Sequence, residues 1–514
     1  MRLASVTYTP AKVTAVQSFG GLPVIFRSAS RRPGLCSIAV VNPARHNPCR
    51  SIIALALCAA GCTTQPYRDQ PLSPGAGLSG YEARTLDSAE LRNFLRANLG
   101  GAIAPWPPES WDLDLLTLVA FYYHPDLDVV RADWGVAKAA VITAGQRPNP
   151  QLVPALGYNA TAPIGISPWT LGMFIDIPIE TAGKRGYRIA QAAQHSQAAR
   201  FRIEQAAWQV RSRLRDSLVG LYPIDPMLEN QRSRLQELVV LLERRMALGL
   251  IAQPEVTQAR LALAHTDLAL NDIRRQRAKQ RSRLAAALGL SSAALDGIAL
   301  SFADLERVAD GVTMPAGDAR RVALLNRADV RAALSAYEET QEALRLEIAR
   351  QYPDFRLRAG YGWDQGSSKW VLGLPVELPV LNRNEGPIAE AQARRAQAAA
   401  NFLALQARAI GETEQALAAY EFSMRKLKAA ATALSARRDN ERLTAALLRT
   451  GEADRLALVR AAFETASAEQ AHTETLIEAQ QAVGQLEEAL QRPLVGRALP
   501  LRQDTNPRNE KEPR

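Results

Sequence analysis

A chain of 514 residues is long enough for several soluble domains, yet only 6% of its residues are aromatic, and Ala, Leu, Gln, Glu and Arg dominate its helical stretches. This composition is typical of long helices or coiled coils and argues against a compact enzyme. The formal net charge is +10, but residues 1–61 carry seven of the basic side chains and no acidic one, which leaves +3 for the rest. So small an excess removes the main support for nucleic-acid binding, and we expect no nucleic-acid partner.

Residues 1–61 are predicted to be a leader that contains a secretion signal. Arg45 and Arg50 supply the positive charge of the signal, residues 51–60 form a short apolar run, and small residues at its end provide a cleavage context. The apolar run is too short to span a membrane as a helix. The basicity of the whole chain therefore belongs mainly to a segment that processing would remove.

The leader is longer than a normal signal peptide, because about 40 residues precede its charged and apolar regions. We therefore expect translation to begin near Val40 or Val41. Mass spectrometry of a precursor that retains Met1 would contradict this expectation.

The residue after the leader is Cys62, and the run Ala-Ala-Gly-Cys resembles the bacterial lipoprotein signal, with Ala59 where a leucine is usual. The resemblance implies palmitate-type lipidation of Cys62, and Thr63 in place of aspartate points to the outer membrane. Residues 62–104 then form a lipidated N-terminal segment; the alternative is that Cys62 merely ends an apolar run. A processed chain would keep one cysteine and could form no disulfide framework or thiolate metal site. The four cysteines are Cys36, Cys49, Cys58 and Cys62.

The remaining sequence repeats itself after about 202 residues. Two copies are too few for a solenoid, so the pattern predicts a duplication. Repeat 1 covers residues 105–300 and repeat 2 residues 301–495, each with a helix, a β-hairpin and long helices, and residues 496–514 form a polar, disordered tail. Pro150, Gly157 and Tyr158 recur as Pro353, Gly360 and Tyr361, shifted by 203; Leu171-Gly172, Pro178 and Ala190-Gln191-Ala192 recur as Leu372-Gly373, Pro379 and Ala391-Gln392-Ala393, shifted by 201.

The two hairpins, at about 151–180 and 354–380, alternate apolar and wetter residues with the period of two that β-strands show. Each strand has about ten residues, the length with which a tilted strand crosses a bilayer, and tryptophans stand at the strand ends as in aromatic girdles. Arg356 and Arg358 share one face, which suits a water-filled lumen. The pattern alone equally allows an ordinary hairpin on a soluble core. The apolar faces comprise Phe355, Leu357, Ala359, Tyr361 and Trp363; Trp370, Leu372, Leu374, Val376 and Leu378; and Trp169, Leu171, Met173, Ile175, Ile177 and Ile179.

Two hairpins provide four strands, which are too few to close a barrel. An open sheet edge inside lipid would leave backbone N–H and C=O groups unpaired, so the sheet must close with other subunits. A trimer that supplies twelve strands is the simplest closed solution.

Long helices follow each hairpin. From Pro387 to Leu448 the chain has no further proline, which predicts about 60 residues or about 90 Å of helix, and a second long helix returns from 453 to 490. In the first copy Pro223 and Pro226 must break or kink the corresponding helix, and a small side domain could sit at that break. Such helices alone are equally consistent with a structural coiled coil.

This order of elements behind a lipoprotein signal resembles the TolC family of outer-membrane efflux proteins, over residues 105–495. The resemblance implies an α+β membrane protein, with a trimeric 12-stranded β-barrel (four strands per chain) continued by a long α-helical coiled-coil barrel. The motifs are Arg147-Pro-Asn-Pro150, the Gly-Tyr of each first strand, Ile-Pro-Ile-Glu-Thr-Ala-Gly183-Lys-Arg185, and Leu-Pro-Val-Leu-Asn-Arg-Asn-Glu-Gly386; the last two resemble the heavy-metal and cation efflux subgroup.

The resemblance also implies a function and a location. The homotrimer would be a passive channel, anchored in and spanning the outer membrane of a Gram-negative bacterium, with its helical tube in the periplasm. A periplasmic adaptor (membrane fusion protein) would dock on the tip of the tube, and an inner-membrane pump of the resistance–nodulation–division (RND) type would drive export.

The tip is expected at two turns between long helices, where Gly249 and Gly451 suit a left-handed conformation. The alternative is a plain turn without a partner. The residues predicted to dock the adaptor are Arg244, Leu248, Gly249, Ala252, Val256, Arg449, Gly451, Ala453 and Leu456.

The family often places acidic residues just past this turn, where trimer symmetry makes a charged ring. Here Glu255 and Gln258 occupy these positions in the first copy, and Ala457 and Arg460 in the second. The chain thus departs from a double-aspartate pattern. We predict that Glu255, Gln258, Asp454 and Arg460 line or latch the closed aperture.

No catalytic constellation, phosphate-binding glycine loop or metal-ligand spacing is present in the sequence, so we expect no enzyme activity, no cofactor and no metal site. Two rival functions stay open: an exit duct for type I protein secretion, and a periplasmic coiled-coil structural lipoprotein that forms no channel. The histidines are His46, His124, His195, His265 and His472.

Overall fold

The structure is a computed structural model that describes residues 67–99, 101, 105–306 and 314–494. The predicted leader, Cys62 and the tail 496–514 lie outside these residues. The chain divides into two compact units, residues 1–84 and 85–514. The described part of the first unit contains helix α1 (Pro74–Glu82), which buries none of its side chains. All elements below belong to the second unit.

The elements of the second unit follow the same order in its two halves: helices, a hairpin, then long helices. The duplication itself stays a prediction. The first half contains α2 (Ala89–Leu99), α3 (Leu113–Tyr123), α4 (Pro125–Ala144), β1 (Gln151–Tyr158), β2 (Trp169–Ile179), α5 (Lys184–Val219), α6 (Asp225–Ala247), α7 (Gln253–Leu288) and the short α8 (Ala303–Glu306). The second half contains α9 (Ala316–Asn326), α10 (Ala328–Ala349), β3 (Phe355–Asp364), β4 (Ser367–Gly373), α11 (Glu385–Thr450) and α12 (Arg455–Leu490).

Prolines interrupt the first long helix, as the sequence predicts. α5 ends at Val219, and α6 begins at Asp225 with Pro226 in its first turn, because proline lacks the N–H of a helix interior and its ring clashes with the preceding turn. In the second half α11 continues for 66 residues, about 99 Å at 1.5 Å per residue. The contrast between a broken and an unbroken helix is therefore confirmed.

The four described strands form one antiparallel sheet in the order β1-β2-β3-β4. β2 and β3 join the two hairpins, with Thr170 opposite Asp364 and Asp176 opposite Arg358. β1 and β4 each pair on one side only, so a single chain leaves two sheet edges free.

β4 is shorter than predicted: it ends at Gly373, whereas the sequence pattern extends to Leu378. Pro375 has no N–H to donate to β3. The N–H of Arg356 still donates to the C=O of Pro375 at 3.0 Å, and Val376 forms an isolated bridge with Phe355. The segment after Gly373 thus follows β3 without completing a ladder.

The buried apolar side chains form three clusters, and the largest lies beside the proline break. It joins Leu116 of α3, Leu214 of α5 and Leu288 of α7 to Trp111. A second cluster joins α9, α11 and α12, and a third lies near the turn between α6 and α7. Among the described residues, no helix combines the length and the apolar character that crossing a membrane requires.

Candidate functional site

One face of the sheet is apolar and exposed. Alternate residues along β2, from Trp169 to Ile179, expose between 36% and 51% of their surface, although all are large and apolar. Soluble monomers rarely expose a continuous apolar patch of this kind, which marks a surface for lipid or for another chain. The same face continues on the neighbouring strands through Leu152, Leu156, Tyr158, Tyr361, Trp370, Leu372, Leu374, Val376 and Leu378.

Aromatic pairs stand at the strand ends on this face. The rings of Tyr158 and Trp169 lie 5.0 Å apart, and those of Tyr361 and Trp370 lie 5.2 Å apart, both edge to face. Each pair bridges the two strands of one hairpin at the end that carries its connecting loop. Trp169 and Trp370, two of the tryptophans predicted for a girdle, thus each pack against a tyrosine of the partner strand.

The opposite face carries an ion pair that the sequence pattern did not reveal. Arg358 donates to both carboxylate oxygens of Asp176, at 2.7 and 2.6 Å, and Asp176 is only 3% exposed. Both residues belong to the face predicted to be wetter. Strand register decides the pairing, because the two residues stand directly opposite each other and 182 positions apart in the chain.

A polar cluster holds the point where β2 leads into α5. The buried Lys184 donates to the C=O of Tyr352 at 2.7 Å and to Asp354 at 2.8 Å. The N–H of Thr181 donates to the same carboxylate at 2.8 Å. The cluster ties the end of the first hairpin to the start of the second, so it fixes the helices relative to the sheet.

The two predicted tip turns both contain a left-handed glycine. Gly249 has φ +73° and Gly451 has φ +83°. The N–H of Leu250 donates to the C=O of Arg245, and the N–H of Glu452 to that of Leu447, both at 2.9 Å. These bonds satisfy the last carbonyls of α6 and α11, as left-handed C-terminal caps do. The predicted turn conformation is confirmed.

Two of the nine predicted docking residues need correction, because they are buried within the chain. Val256 is 2% and Leu456 is 6% exposed, and both pack in the cluster near the α6–α7 turn. The helical period turns them toward the neighbouring helices, so they support the turns and offer no surface. Leu250, which the sequence prediction omitted, is 67% exposed. Of the others, Ala453 is half-buried, whereas Arg244, Leu248, Gly249, Ala252, Arg449 and Gly451 are exposed.

The predicted aperture residues form separate contacts. Glu255 and Arg460 approach to 3.7 Å and join α7 to α12. Asp454 pairs instead with Arg245 at 2.5 Å, which joins α6 to the start of α12. Gln258, three residues after Glu255 on α7, lines a shallow cavity of about 460 Å³. The sequence did not indicate the contact of Arg245 with Asp454, because the two residues are 209 positions apart in the chain.

Asp454 also caps α12. Its carboxylate accepts the N–H of Ala457 at 2.7 Å. This hydrogen bond, and then that from Arg245, lower the pKa of Asp454 below its usual range. A lowered carboxyl pKa stabilises the folded state above the unfolded pKa of about 3.9, and this contribution is lost as the pH falls through the lowered value. The contact of Asp454 with Arg245, which joins α6 to α12, is therefore insensitive to pH in the neutral range.

The described residues contain no group of three or more His, Cys, Asp or Glu that could hold a metal ion. His124 is buried, and burial lowers its pKa, while its Nδ1 accepts the N–H of Asp126 at 3.2 Å. This contact caps α4. His195 lies 3.1 Å from Glu339 on the surface of α5 and α10. Both histidines therefore have structural contacts.

Comparison with known proteins matches residues 121–290 to the family described as "Outer membrane efflux protein". The cobalt-zinc-cadmium resistance protein CzcC of Cupriavidus metallidurans is 26% identical over 236 residues, which cover 43% of this chain and 54% of that protein. The match thus spans about half the length of this curated relative.

Solved structures share the fold. The outer-membrane channel OprN has a TM-score of 0.58 at 18% identity, covering 84% of this chain and all of that one. VceC, an outer membrane protein of Vibrio cholerae, has a TM-score of 0.57 at 21% identity, covering 74% and 96%. CusC, whose structures concern transmembrane channel formation, has a TM-score of 0.58 at 17% identity, covering 84% and 99%.

Proposed function

We propose that this chain is the outer-membrane exit duct of a tripartite efflux system, and the match of residues 121–290 to the outer membrane efflux protein family supports this proposal. The observation that carries the proposal is the exposed apolar face of the four-stranded sheet, which lies opposite a face with the Asp176–Arg358 ion pair. Such a sheet suits lipid on one side and water on the other.

Closure requires more than one copy. The edges at β1 and β4 would leave backbone N–H and C=O groups without partners in lipid, at several kcal/mol for each group. Three copies would supply twelve strands and close the sheet around a lumen. The function is thus that of a homotrimer in the outer membrane of a Gram-negative bacterium, with a lipid anchor at Cys62.

The two glycine turns are proposed to dock a periplasmic adaptor, through exposed residues that include Leu248 and Arg449. An inner-membrane RND-type pump then supplies the energy, and the duct itself is passive. The name of the relative CzcC supports metal cations as the cargo.

Reconstitution tests the duct. We expect the purified full-length chain to require detergent, to form trimers and to add a stable ion conductance to planar lipid bilayers. Heat-denatured protein in the same detergent is the matched control. A chain that is extracted without detergent, stays monomeric and adds no conductance would contradict the duct and favour the coiled-coil structural lipoprotein.

The aperture proposal predicts a gating phenotype. The double variant Glu255→Ala with Arg460→Ala should raise the conductance of the trimer and alter its ion preference, because it removes a contact between α7 and α12. An exposed pair contributes about 0.2–1 kcal/mol, which changes an open-to-closed ratio by up to about fivefold per pair. The control is Arg438→Ala with Glu469→Ala, which removes an exposed 2.8 Å pair between α11 and α12. Unchanged gating and ion preference in the first double variant would contradict the proposal.

A further inference from the structure

The two hairpins of one chain are joined by the pairing of β2 with β3, which we call the seam, and this pairing shows how such hairpins join. β2 pairs with β3 without interruption, and Met173 stands opposite Tyr361, Ile175 opposite Ala359. The sheet edges at β1 and β4 have no such partner in a single chain. The internal repeat relates β4 to β2 and β1 to β3, so the seam inside the chain is a template for a seam between copies.

The backbone direction at the β4 edge follows from one hydrogen bond. The N–H and C=O of a residue in an antiparallel strand point to the same side, and successive residues alternate. The C=O of Pro375 accepts from Arg356 of β3, so the backbone groups of Leu374, Val376 and Leu378 point to the free edge. Because the proline faces β3, the free edge keeps its N–H donors at these three positions.

The β1 edge is oriented in the same way. The N–H of Asn159 donates to the C=O of Pro168 at 2.7 Å, on the side of the first hairpin. The pairing of β1 with β2 continues without a bulge from Tyr158 back to Gln151. The backbone groups of Tyr158, Leu156 and Pro154 therefore point to the free edge, and Pro154 lacks a donor there.

We propose that residues 374–378 pair as a strand with β1 of a second copy of this chain, with Leu374 opposite Tyr158 and Val376 opposite Leu156. The repeat places each residue of β2 201 positions before its counterpart, and each residue of β3 203 positions after its counterpart in β1. The pair Met173–Tyr361 therefore corresponds to Leu374–Tyr158, and the pair Ile175–Ala359 corresponds to Val376–Leu156. The register rests on the proposed function, since a closed sheet requires pairing between copies.

Two conditions agree with this register. All the paired residues present backbone groups to the facing edge, and all four side chains lie on the exposed apolar face. A shift by one residue would break both conditions, because it would oppose groups that point away and set an apolar residue against the wetter face. Registers that differ from the proposed one by an even number of residues also satisfy both conditions. The correspondence with the β2–β3 pairing selects the proposed register among them.

The register also accounts for the incomplete strand. Residues 374–378 are not a continuous strand in one chain, yet Leu374, Val376 and Leu378 are exposed by 57%, 41% and 69%. An extended segment that lacks one ladder partner and shows alternate apolar residues is completed by a second edge. The segment thus gains its strand conformation on assembly.

Cysteine cross-linking tests the register. In the proposed seam Glu377 stands opposite Ala155 as a non-hydrogen-bonded pair on the wetter face, where Cα atoms are about 4.5 Å apart, within the range of a disulfide. Ala155→Cys with Glu377→Cys should give covalent dimers and trimers on mild oxidation. In one chain β2 and β3 lie between these residues, so a cross-link must join two copies. The matched controls keep Ala155→Cys and combine it with Pro375→Cys or Pro379→Cys, whose diagonal Cα distances of about 7–8 Å exceed that range.

The outcomes separate the register from the function. A yield at least tenfold above both controls supports the register. A control that cross-links as well as or better than the proposed pair overturns it. Unoxidised variants that conduct as the native protein does, yet give no cross-link in any combination, overturn the register alone. Variants and native protein that neither conduct nor cross-link overturn the duct as well.

Discussion

Replacing Glu487 by alanine should lower the free energy of unfolding by about 3–5 kcal/mol, because it would remove the carboxylate that is paired with buried positive charge. Glu487 is 1% exposed on α12 and accepts a hydrogen bond from Arg211 of α5 at 2.7 Å. Arg215 of α5 lies 3.8 Å away and is 3% exposed. Burial lowers the pKa of Arg215, and the carboxylate of Glu487 opposes this effect. The carboxylate also accepts the N–H of Leu494 at 2.8 Å.

The matched control is Glu478→Ala on the same helix. Glu478 pairs with Lys426 at the surface, where both side chains are about half exposed, so its removal should change stability by less than about 1 kcal/mol. Denaturant unfolding in detergent at fixed protein concentration, followed by circular dichroism, measures both. Equal stability of the two variants would show that the buried charges do not hold α5 against α12.

Gly289→Ala should destabilise the fold by about 2–5 kcal/mol, the sum of left-handed strain and a backbone clash. Gly289 ends α7 with φ +73°, and a Cβ there would lie 2.6 Å from the carbonyl oxygen of Tyr123. That carbonyl belongs to the last residue of α3, against which the end of α7 packs. Neither group can move without disturbing the largest buried cluster.

The variant Gly249→Ala measures the backbone strain of a left-handed residue without the steric clash that Gly289→Ala adds. Gly249 has the same φ of +73°, but a Cβ there meets no atom within 4 Å. Its substitution should cost about 1–2 kcal/mol. Thermal unfolding of the two variants under one set of conditions gives the difference directly. Variants of equal stability would mean that the contact with Tyr123 relaxes at little cost.

Local sequence signals accounted for much of the fold. Pro223 and Pro226 predicted the break between α5 and α6, and the proline-free run after Pro387 predicted the length of α11. Gly249 and Gly451 predicted the two left-handed turns. Each signal acts within a few residues, because a missing N–H or a missing Cβ restricts the backbone where it stands.

Partners distant in sequence were not predictable in this way. The pairs Asp176–Arg358, Arg211–Glu487 and Arg245–Asp454 join residues 182, 276 and 209 positions apart. Strand register and helix packing bring these groups together, and the periodicity of one segment contains no information on the rotation of another. The same limit explains why Val256 and Leu456 were predicted as docking surface although the neighbouring helices bury them.

The sequence by itself determined the kinds of elements, their order, the breaks and turns between them, and the alternation that makes one sheet face apolar. These properties depend on backbone stereochemistry and on side-chain period, which are local. Only the tertiary structure decided which charges meet, which tip residues are exposed, and which strands form the free edges of the sheet. These outcomes depend on packing between segments far apart in the chain, where burial decides whether a side chain supports the fold or serves as a surface.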